Sequence, residues 1–261
     1  MDSQELLALY DKEQRIEIEY PEVRKEIFPN LVRIVRPAPG MNQVVYSRLD
    51  EDELDAVIRE QITYFRQFDQ PFSWQVYDHD KPPGLKEHLV KHGFVTDDDP
   101  DAMMVLDTED VPPQLLAPVR LDIRRLTERI HLDDVTRIEA EVWGGDFAWL
   151  KERLGAHLEV PDYLSVYVAY VEGQPACSGW IYFHPNSHFA GLFGGATVPE
   201  HRSRGLYRAV LAVRVQEAIR RGYRFLTTGA SPMSRPILEL NGFRFLTYAY
   251  AYEWKERVNN L

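Results

Sequence analysis

The sequence predicts an α/β (α+β) fold in which a mixed, mostly antiparallel sheet is flanked by helices and the chain consists of two similar halves. Three observations predict it. Short β-prone runs alternate with helix-patterned segments along the 261 residues, as they do in mixed sheets. Strand-like runs joined by a glycine turn, as in YLSVYVAYV followed by GQPACSGWIYF (163–183), read as an antiparallel hairpin. The order strand, short helix, Gly-Phe, β-prone segment also occurs twice, at KHGF (91–94) and at LNGF (240–243).

The N-terminal half opens with helical stretches. LVRIV (31–35) and QVVYSRL (43–49) read as strands, EDELDAVIREQITYF (51–65) as a helix and FSWQVYD (72–78) as a strand. GLKEHLVKHG (84–93) is a helix that ends on glycine, and AMMVL (102–106) is a strand. The proline-rich TEDVPPQLLAP (108–118) interrupts this order and places the boundary between residues 1–117 and 118–261.

The C-terminal half begins with a strand at VRLDIRRL (119–126). Two helices follow, HLDDVTRIEAEVW and DFAWLKERLGAHL, separated by Gly144 and Gly145. After the 163–183 hairpin, FAGLFGGATV (189–198) is a strand weakened by glycines. RGLYRAVLAVRVQEAIRRGY is a helix that ends with Arg220 and Arg221 before Gly222, where cations offset the helix dipole. FLTTGAS is a strand, SRPILELNG a helix, and FRFLTYAYAYEW the last strand. Tyr248, Tyr250, Tyr252 and Trp254 share one face of that strand, as packing against a helix requires.

Composition narrows the function classes. A formal charge of −11 argues against nucleic acid, whose phosphates demand a basic face. No run is long and apolar enough for a membrane span. The start, MDSQELLALYDKEQR, is polar and acidic, unlike a secretory signal. The single cysteine, Cys177, builds neither an internal disulfide nor a zinc site, and His184 and His188 lack a third ligand nearby, so no metal is expected. A cytoplasmic protein is expected. Residues 1–117 hold 25 acids and 12 bases, whereas residues 118–261 hold 16 and 18. An anionic ligand is therefore expected in the C-terminal half.

The place for it is VPEHRSRGLYRAVL (198–211), where a strand gives way to a helix. The first amides of a helix have no internal acceptor, and the dipole adds positive potential there. Gly205 lets the backbone approach a ligand closely, and Arg202 and Arg204 add charge. The N-terminal counterpart, YSRLDEDELDAVI (46–58), has no glycine and crowds Asp50, Glu51, Asp52, Glu53 and Asp55 at the helix entrance. Those carboxylates answer the dipole themselves and repel a diphosphate.

VPEHRSRGLY resembles the acyl-CoA loop of the GNAT acyltransferases, whose pattern is Arg or Gln, two residues, Gly, one residue, then Gly or Ala. The corresponding positions are Arg202, Gly205 and Tyr207. The order of elements from residue 119 to the strand after Asn241-Gly242-Phe243 is similar to that family too, over roughly 140 residues. The resemblance implies an acyl-CoA N-acyltransferase-like fold, with a degenerate copy lacking the coenzyme loop in residues 1–117. It implies acetyl-CoA as acyl-donor cosubstrate, held by main-chain groups of Ala196, Thr197 and Val198 along the pantetheine arm. The amides of Ser203, Arg204, Gly205, Leu206 and Tyr207 would hold the pyrophosphate, with Arg202 beside it. Tyr207 replaces a small residue and would put a ring near the phosphates.

The implied activity is direct acetyl transfer to an amine on a small acceptor, with a cationic one favoured by the acidic N-terminal half. The alternative is a non-catalytic acyl-CoA-binding sensor or interaction module. Proton transfer divides the two readings. The family's tyrosine acid falls at Leu238, and the strand at 189–198 carries no glutamate. Ser231 and Ser234 are candidates to face the thioester sulfur, though each also suits a helix N-cap beside Pro232 or Pro236. Glu141 and Asp146 flank the glycine pair at the implied acceptor edge, and Asp146 also suits an N-cap.

Overall fold

A computed structural model describes residues 1–38, 40–68, 70–97 and 99–255. In chain order the elements are α1 (Ser3–Tyr10), β1 (Arg24–Ile27), β2 (Leu31–Val35), β3 (Asn42–Ser47), α2 (Leu54–Arg66), β4 (Phe72–Tyr77), α3 (Leu85–Lys91) and β5 (Asp101–Asp107). They continue with α4 (Pro113–Leu116), β6 (Ile123–Leu126), α5 (Asp133–Trp143), α6 (Ala148–Leu158), β7 (Leu164–Val171), β8 (Gln174–Phe183) and β9 (Phe189–Thr197). Last come α7 (Leu206–Arg220), β10 (Phe225–Ala230), α8 (Arg235–Leu240) and β11 (Arg244–Trp254). The strands and helices expected from the sequence are present, joined by the short β1 and α4. Among the described residues no helix is long and apolar enough to cross a membrane.

Contacts divide the chain into two compact units. The first comprises Met1–Met103, Ala230–Met233 and the chain from Leu246 onward; the second comprises Met104–Gly229 and Ser234–Phe245. The division drawn from the sequence at 117/118 follows the repeated order of elements, whereas contacts follow the sheets. Most of β11 belongs to the first unit, beside β4, and the end of β5 belongs to the second, beside β10. A linear boundary cannot express that arrangement.

In the first unit the strand order is β1-β2-β3-β4-β11. β1 with β2, β2 with β3 and β4 with β11 are antiparallel, and β3 with β4 is parallel. The parallel ladder holds only three pairs, from Asn42–Phe72 to Val44–Trp74. A bulge then interrupts the β2–β3 ladder at Val45, bending the strand as an extra residue does. The core of this unit gathers Val44, Ile58, Phe65, Phe72, Trp74, Leu89, Phe94 and Tyr252, all buried. Leu54, Ile58, Ile62 and Phe65 lie along one face of α2, so helical periodicity and burial agree.

Beside the bulge lies Arg15, carried on a π-helical turn (Asp11–Ile16) that continues α1. Its Nε donates to the Val45 carbonyl at 3.1 Å, and its two Nη atoms pair with both oxygens of Asp80 at 2.7 Å. Asp11 takes a further bond at 2.8 Å, and the guanidinium stacks 4.0 Å over the Tyr77 ring. The Asp80 carboxylate also receives the Tyr77 amide. A buried charge network of this kind is weak evidence for net stability, yet removing one partner strands the other charge in low dielectric. Arg15→Ala is therefore expected to lower unfolding free energy by about 3–5 kcal/mol, measured by urea denaturation. Loss within ~1 kcal/mol would show that water reaches Asp80.

In the second unit the order is β5-β10-β9-β8-β7-β6. β6 through β9 form an antiparallel meander, and β10 joins β9 in parallel. β7 and β8 read as near-continuous buried runs, because helices cover them. Val135, Ile138, Leu150, Leu154, Val166, Val168, Leu206 and Val210 fill this core, each contributing about 1.5–3 kcal/mol by leaving water.

Candidate functional site

The junction singled out in the sequence lies where β9 leaves its neighbour. β9 and β10 pair through Phe189–Phe225, Ala190–Leu226 and Gly191–Thr227 only, although both strands run on. The cause is a bulge. Gly179 faces Gly194 and Cys177 faces Thr197, so Ser178 alone opposes two residues, Gly195 and Ala196. Gly194 and Gly195 adopt φ of +68° and +91°, conformations that side chains disfavour. The extra residue and the added twist draw β9 away from β10 and leave a notch between them.

Arg214 of α7 bonds the strand pair next to the bulge. It is buried, and its Nη1 donates to the carbonyls of Phe193 (3.1 Å) and Trp180 (3.2 Å), while Nε donates to Val210 O (3.1 Å). Gly179 makes this possible, since a Cβ there would lie 2.9 Å from Cζ of Arg214. Among the described residues no carboxylate pairs with this guanidinium, and burial pulls its pKa below the usual arginine value.

Past the bulge the chain turns through Pro199–His201 into α7. Ser203 (φ +62°) and Gly205 (φ +79°, ψ 4°) are left-handed, and alternation of this kind turns successive amides to one side as an anion nest. Among the described residues, the amides of Ser203 through Arg208 donate to no protein acceptor; the first one satisfied is that of Ala209, on Gly205 O at 3.0 Å. Arg202 is anchored by Nε to Thr197 O at 3.2 Å. Arg204 and Arg208 are exposed, with no carboxylate partner among the described residues. Arg208 went unnoticed in the sequence; its signal is its place one turn into the helix from Gly205.

Ala196 and Leu206 are buried, and Thr197 donates its hydroxyl to Cys177 Sγ at 3.2 Å. Val198 is partly committed elsewhere: its amide bonds Ala176 O at 3.0 Å and its carbonyl accepts from His201. Tyr207 departs from expectation. Its ring turns inward onto Gly195, where a Cβ would lie 2.8 Å from Cε2. The glycine of the bulge thus makes room for the tyrosine of the helix, and burial raises the phenol pKa.

The catalytic candidates scatter. Asp146 accepts the Ala148 amide at 2.8 Å, one residue before Phe147, which holds the N-cap position expected for Asp146. Glu141 is exposed on α5. Ser234 occupies the N-cap position of α8 with Pro236 in the first turn, without a side-chain cap bond. Ser231 falls in the segment grouped with the first unit. Leu238 is buried. Burial pushes the Cys177 thiol up to about 11, which leaves it protonated and unreactive at neutral pH. His184 is buried against Tyr163 and Tyr182. Tyr250, Tyr252 and Trp254 pack with the core of the first unit. There too, Asp11, His79 and Asp80 bring three potential ligand atoms within 4.8 Å of one another, but Arg15 already binds both carboxylates.

The entrance to α2, the counterpart in the first unit, differs in one respect that matters. The Glu53 carboxylate accepts the Asp50 amide (3.0 Å) and Asn30 Nδ2 (3.2 Å), and the Glu53 amide bonds Asp50 O. One of its amides, that of Asp50, is answered by a carboxylate, and acids crowd the others.

A bulged strand, a three-pair parallel ladder that then opens, and a helix entrance with free amides are the parts of one known architecture. No family model matches this chain, and no curated protein matches it in sequence. Solved structures do. A GCN5-related N-acetyltransferase from Kribbella flavida superposes with TM-score 0.69 at 14% identity, over 98% of this chain and 95% of that one. The chain has the GNAT fold. Two further GNAT structures are similar. A tandem GNAT protein from the clavulanic acid biosynthesis pathway gives TM-score 0.60 at 14% identity, covering 91% of this chain and 85% of that one. A GCN5-related N-acetyltransferase from Sphaerobacter thermophilus gives 0.57 at 14%, covering 97% and 85%.

Within this GNAT fold the pairing of Gly195 with Tyr207 is open to a double-mutant cycle. Gly195→Ala is expected to cost about 1–2 kcal/mol from its backbone and about 1–3 kcal/mol more from displacing the ring. In a Tyr207→Ala background only the first part should remain. Strict additivity in urea melts would place the ring elsewhere.

Proposed function

We propose that the second unit binds acetyl-CoA and transfers its acetyl group to an amine of a small acceptor. The observation that carries this reading is the row of unbonded amides from Ser203 to Arg208 beside the β9–β10 notch. A diphosphate satisfies these donors, complements the start of the 15-residue helix α7, and neutralises Arg202, Arg204 and Arg208. The pantetheine arm then follows β9 into the notch as an added strand would, along Ala196 and Thr197; Val198, whose amide is already bonded, adds mainly its side chain. The thioester reaches the bulge. There the amine nitrogen forms a bond to the acyl carbon, the carbon–sulfur bond breaks, and coenzyme A leaves as a thiolate that takes up a proton.

The first unit, on this reading, is a degenerate copy that lost the coenzyme. Arg15 occupies its bulge carbonyl, and Glu53 its helix entrance. The tandem GNAT neighbour supports two halves in one chain. A second reading, a non-catalytic acyl-CoA sensor, is favoured by Leu238 at the family's acid position and by a β9 without carboxylates.

Acetyl-CoA at 100 times its Kd is expected to raise stability by about 2.7 kcal/mol, a Tm increase of roughly 5–10 °C. Gly205→Val should abolish the shift, because a β-branched residue cannot hold φ of +79°. Arg204→Ala with Arg208→Ala should weaken binding about tenfold by removing two charge-assisted contacts. Undiminished stabilisation of the Gly205 variant would refute the loop assignment. Stabilisation with no thiol release across a panel of amines would favour the sensor.

A further inference from the structure

We infer that Glu139 is the group that takes the proton from the acceptor amine, an assignment that rests on the acetyltransferase reading above. Glu139 lies on α5, which packs against both β8 and β9. It is one of two buried glutamates in the second unit, and the two differ in how they are held. Glu217 is fully committed: Ser165 and Arg221 donate to Oε1 at 2.9 and 2.8 Å, and Tyr167 to Oε2 at 2.7 Å. Glu139 is held by neutral donors, and no cation pairs with it among the described residues. Ser178 Oγ donates to Oε1 at 3.0 Å. The Trp143 side chain also hydrogen-bonds the carboxylate.

Its position follows from strand register. Ser178 is the β8 residue that opposes the bulge, between the Cys177–Thr197 and Gly179–Gly194 pairs. A carboxylate fixed to Ser178 therefore stands over the bulged stretch of β9. That stretch carries Gly194 and Gly195, whose missing side chains leave room for Trp180 and Tyr207. The exposed Phe193 precedes it on β9, and the exposed Trp143 lies one turn beyond Glu139, before the Gly144–Gly145 break. The site thus joins a buried carboxylate to the bulge of β9. Burial raises the Glu139 pKa, opposed by Ser178 and Trp143, which brings a carboxylate closer to the range useful for general-base work.

Proton and electron accounts close. The acceptor enters as an ammonium and gives one proton to the Glu139 carboxylate, and the freed lone pair forms the carbon–nitrogen bond. When the carbon–sulfur bond breaks, the thiolate takes the second amine proton. Glu139 returns its proton to solvent, so each turnover releases one proton, one amide and one thiol.

The test measures thiol release from acetyl-CoA against a panel of primary amines, together with thermal stabilisation by acetyl-CoA. In the wild-type chain, kcat/KM should rise with pH through the Glu139 pKa. Glu139→Gln should lose about a hundredfold or more in kcat and lose that acidic limb, while keeping its stabilisation by acetyl-CoA. Ser178→Ala provides a second probe should the glutamine variant fold poorly. Loss of the donor to Oε1 should move the limb to higher pH. A Glu139→Gln enzyme with wild-type rate and limb, or a limb unmoved in Ser178→Ala, overturns the assignment. Stabilisation without thiol release from any amine overturns it while leaving coenzyme binding intact. Absence of stabilisation in the wild-type chain defeats the acetyltransferase reading itself.

Discussion

A single buried cation beside a strand bulge is the constraint on which the candidate site depends. Carbonyls at a bulge lose their ladder partners, and a buried carbonyl without a donor is costly. Arg214 donates to two carbonyls just before the bulge, those of the paired Phe193 and Trp180, from within α7. It thereby fastens the helix to the strand that the helix follows. The notch and the free amides are consequences of that attachment. The first exists because β9 bends away after Gly191, the second because the chain must enter α7 through left-handed residues. A guanidinium suits this task better than an ammonium: its fork reaches several carbonyls at once and keeps its charge when desolvated.

The first unit solves the same local problem with another residue. Its β3 bulge at Val45 also presents a carbonyl, and Arg15 donates to it. There the guanidinium arrives from the N-terminal turn and brings Asp80 and Asp11 as partners. The result is a bulge closed by a neutralised network instead of one facing a notch. Together with Glu53 at the α2 entrance, this gives physical meaning to the uneven charge of the two halves. Acids in the first unit pair with Arg15 and with the Asp50 amide, whereas no carboxylate among the described residues pairs with Arg214 or with the α7 entrance.

Tyr207 shows how a departure from a motif can be absorbed. A tyrosine at a position where small residues are usual suggests crowding at the helix entrance. The ring instead enters the space left by Gly195 and joins the core of its unit. The amides of the entrance are untouched, because a main-chain donor depends on φ and ψ and not on the side chain it carries.

Local features of this molecule were legible from residue order alone. Periodicity placed the helices and strands, Gly-Phe pairs marked the repeat, and Arg202 with Gly205 marked the helix entrance, because each rests on neighbours in the chain. Other features were not. Glu139 and Ser178 are 39 positions apart, and Arg214 meets the bulge 21 residues upstream; nothing near any of them announces the partner. The reciprocal placement of β5 and β11 is equally silent, since a strand's composition says that it will pair but not with which edge. The sequence determined the elements, the charge of each half and the loop. Tertiary packing alone decided which polar groups are buried together, and therefore which of the buried carboxylates has no cation beside it.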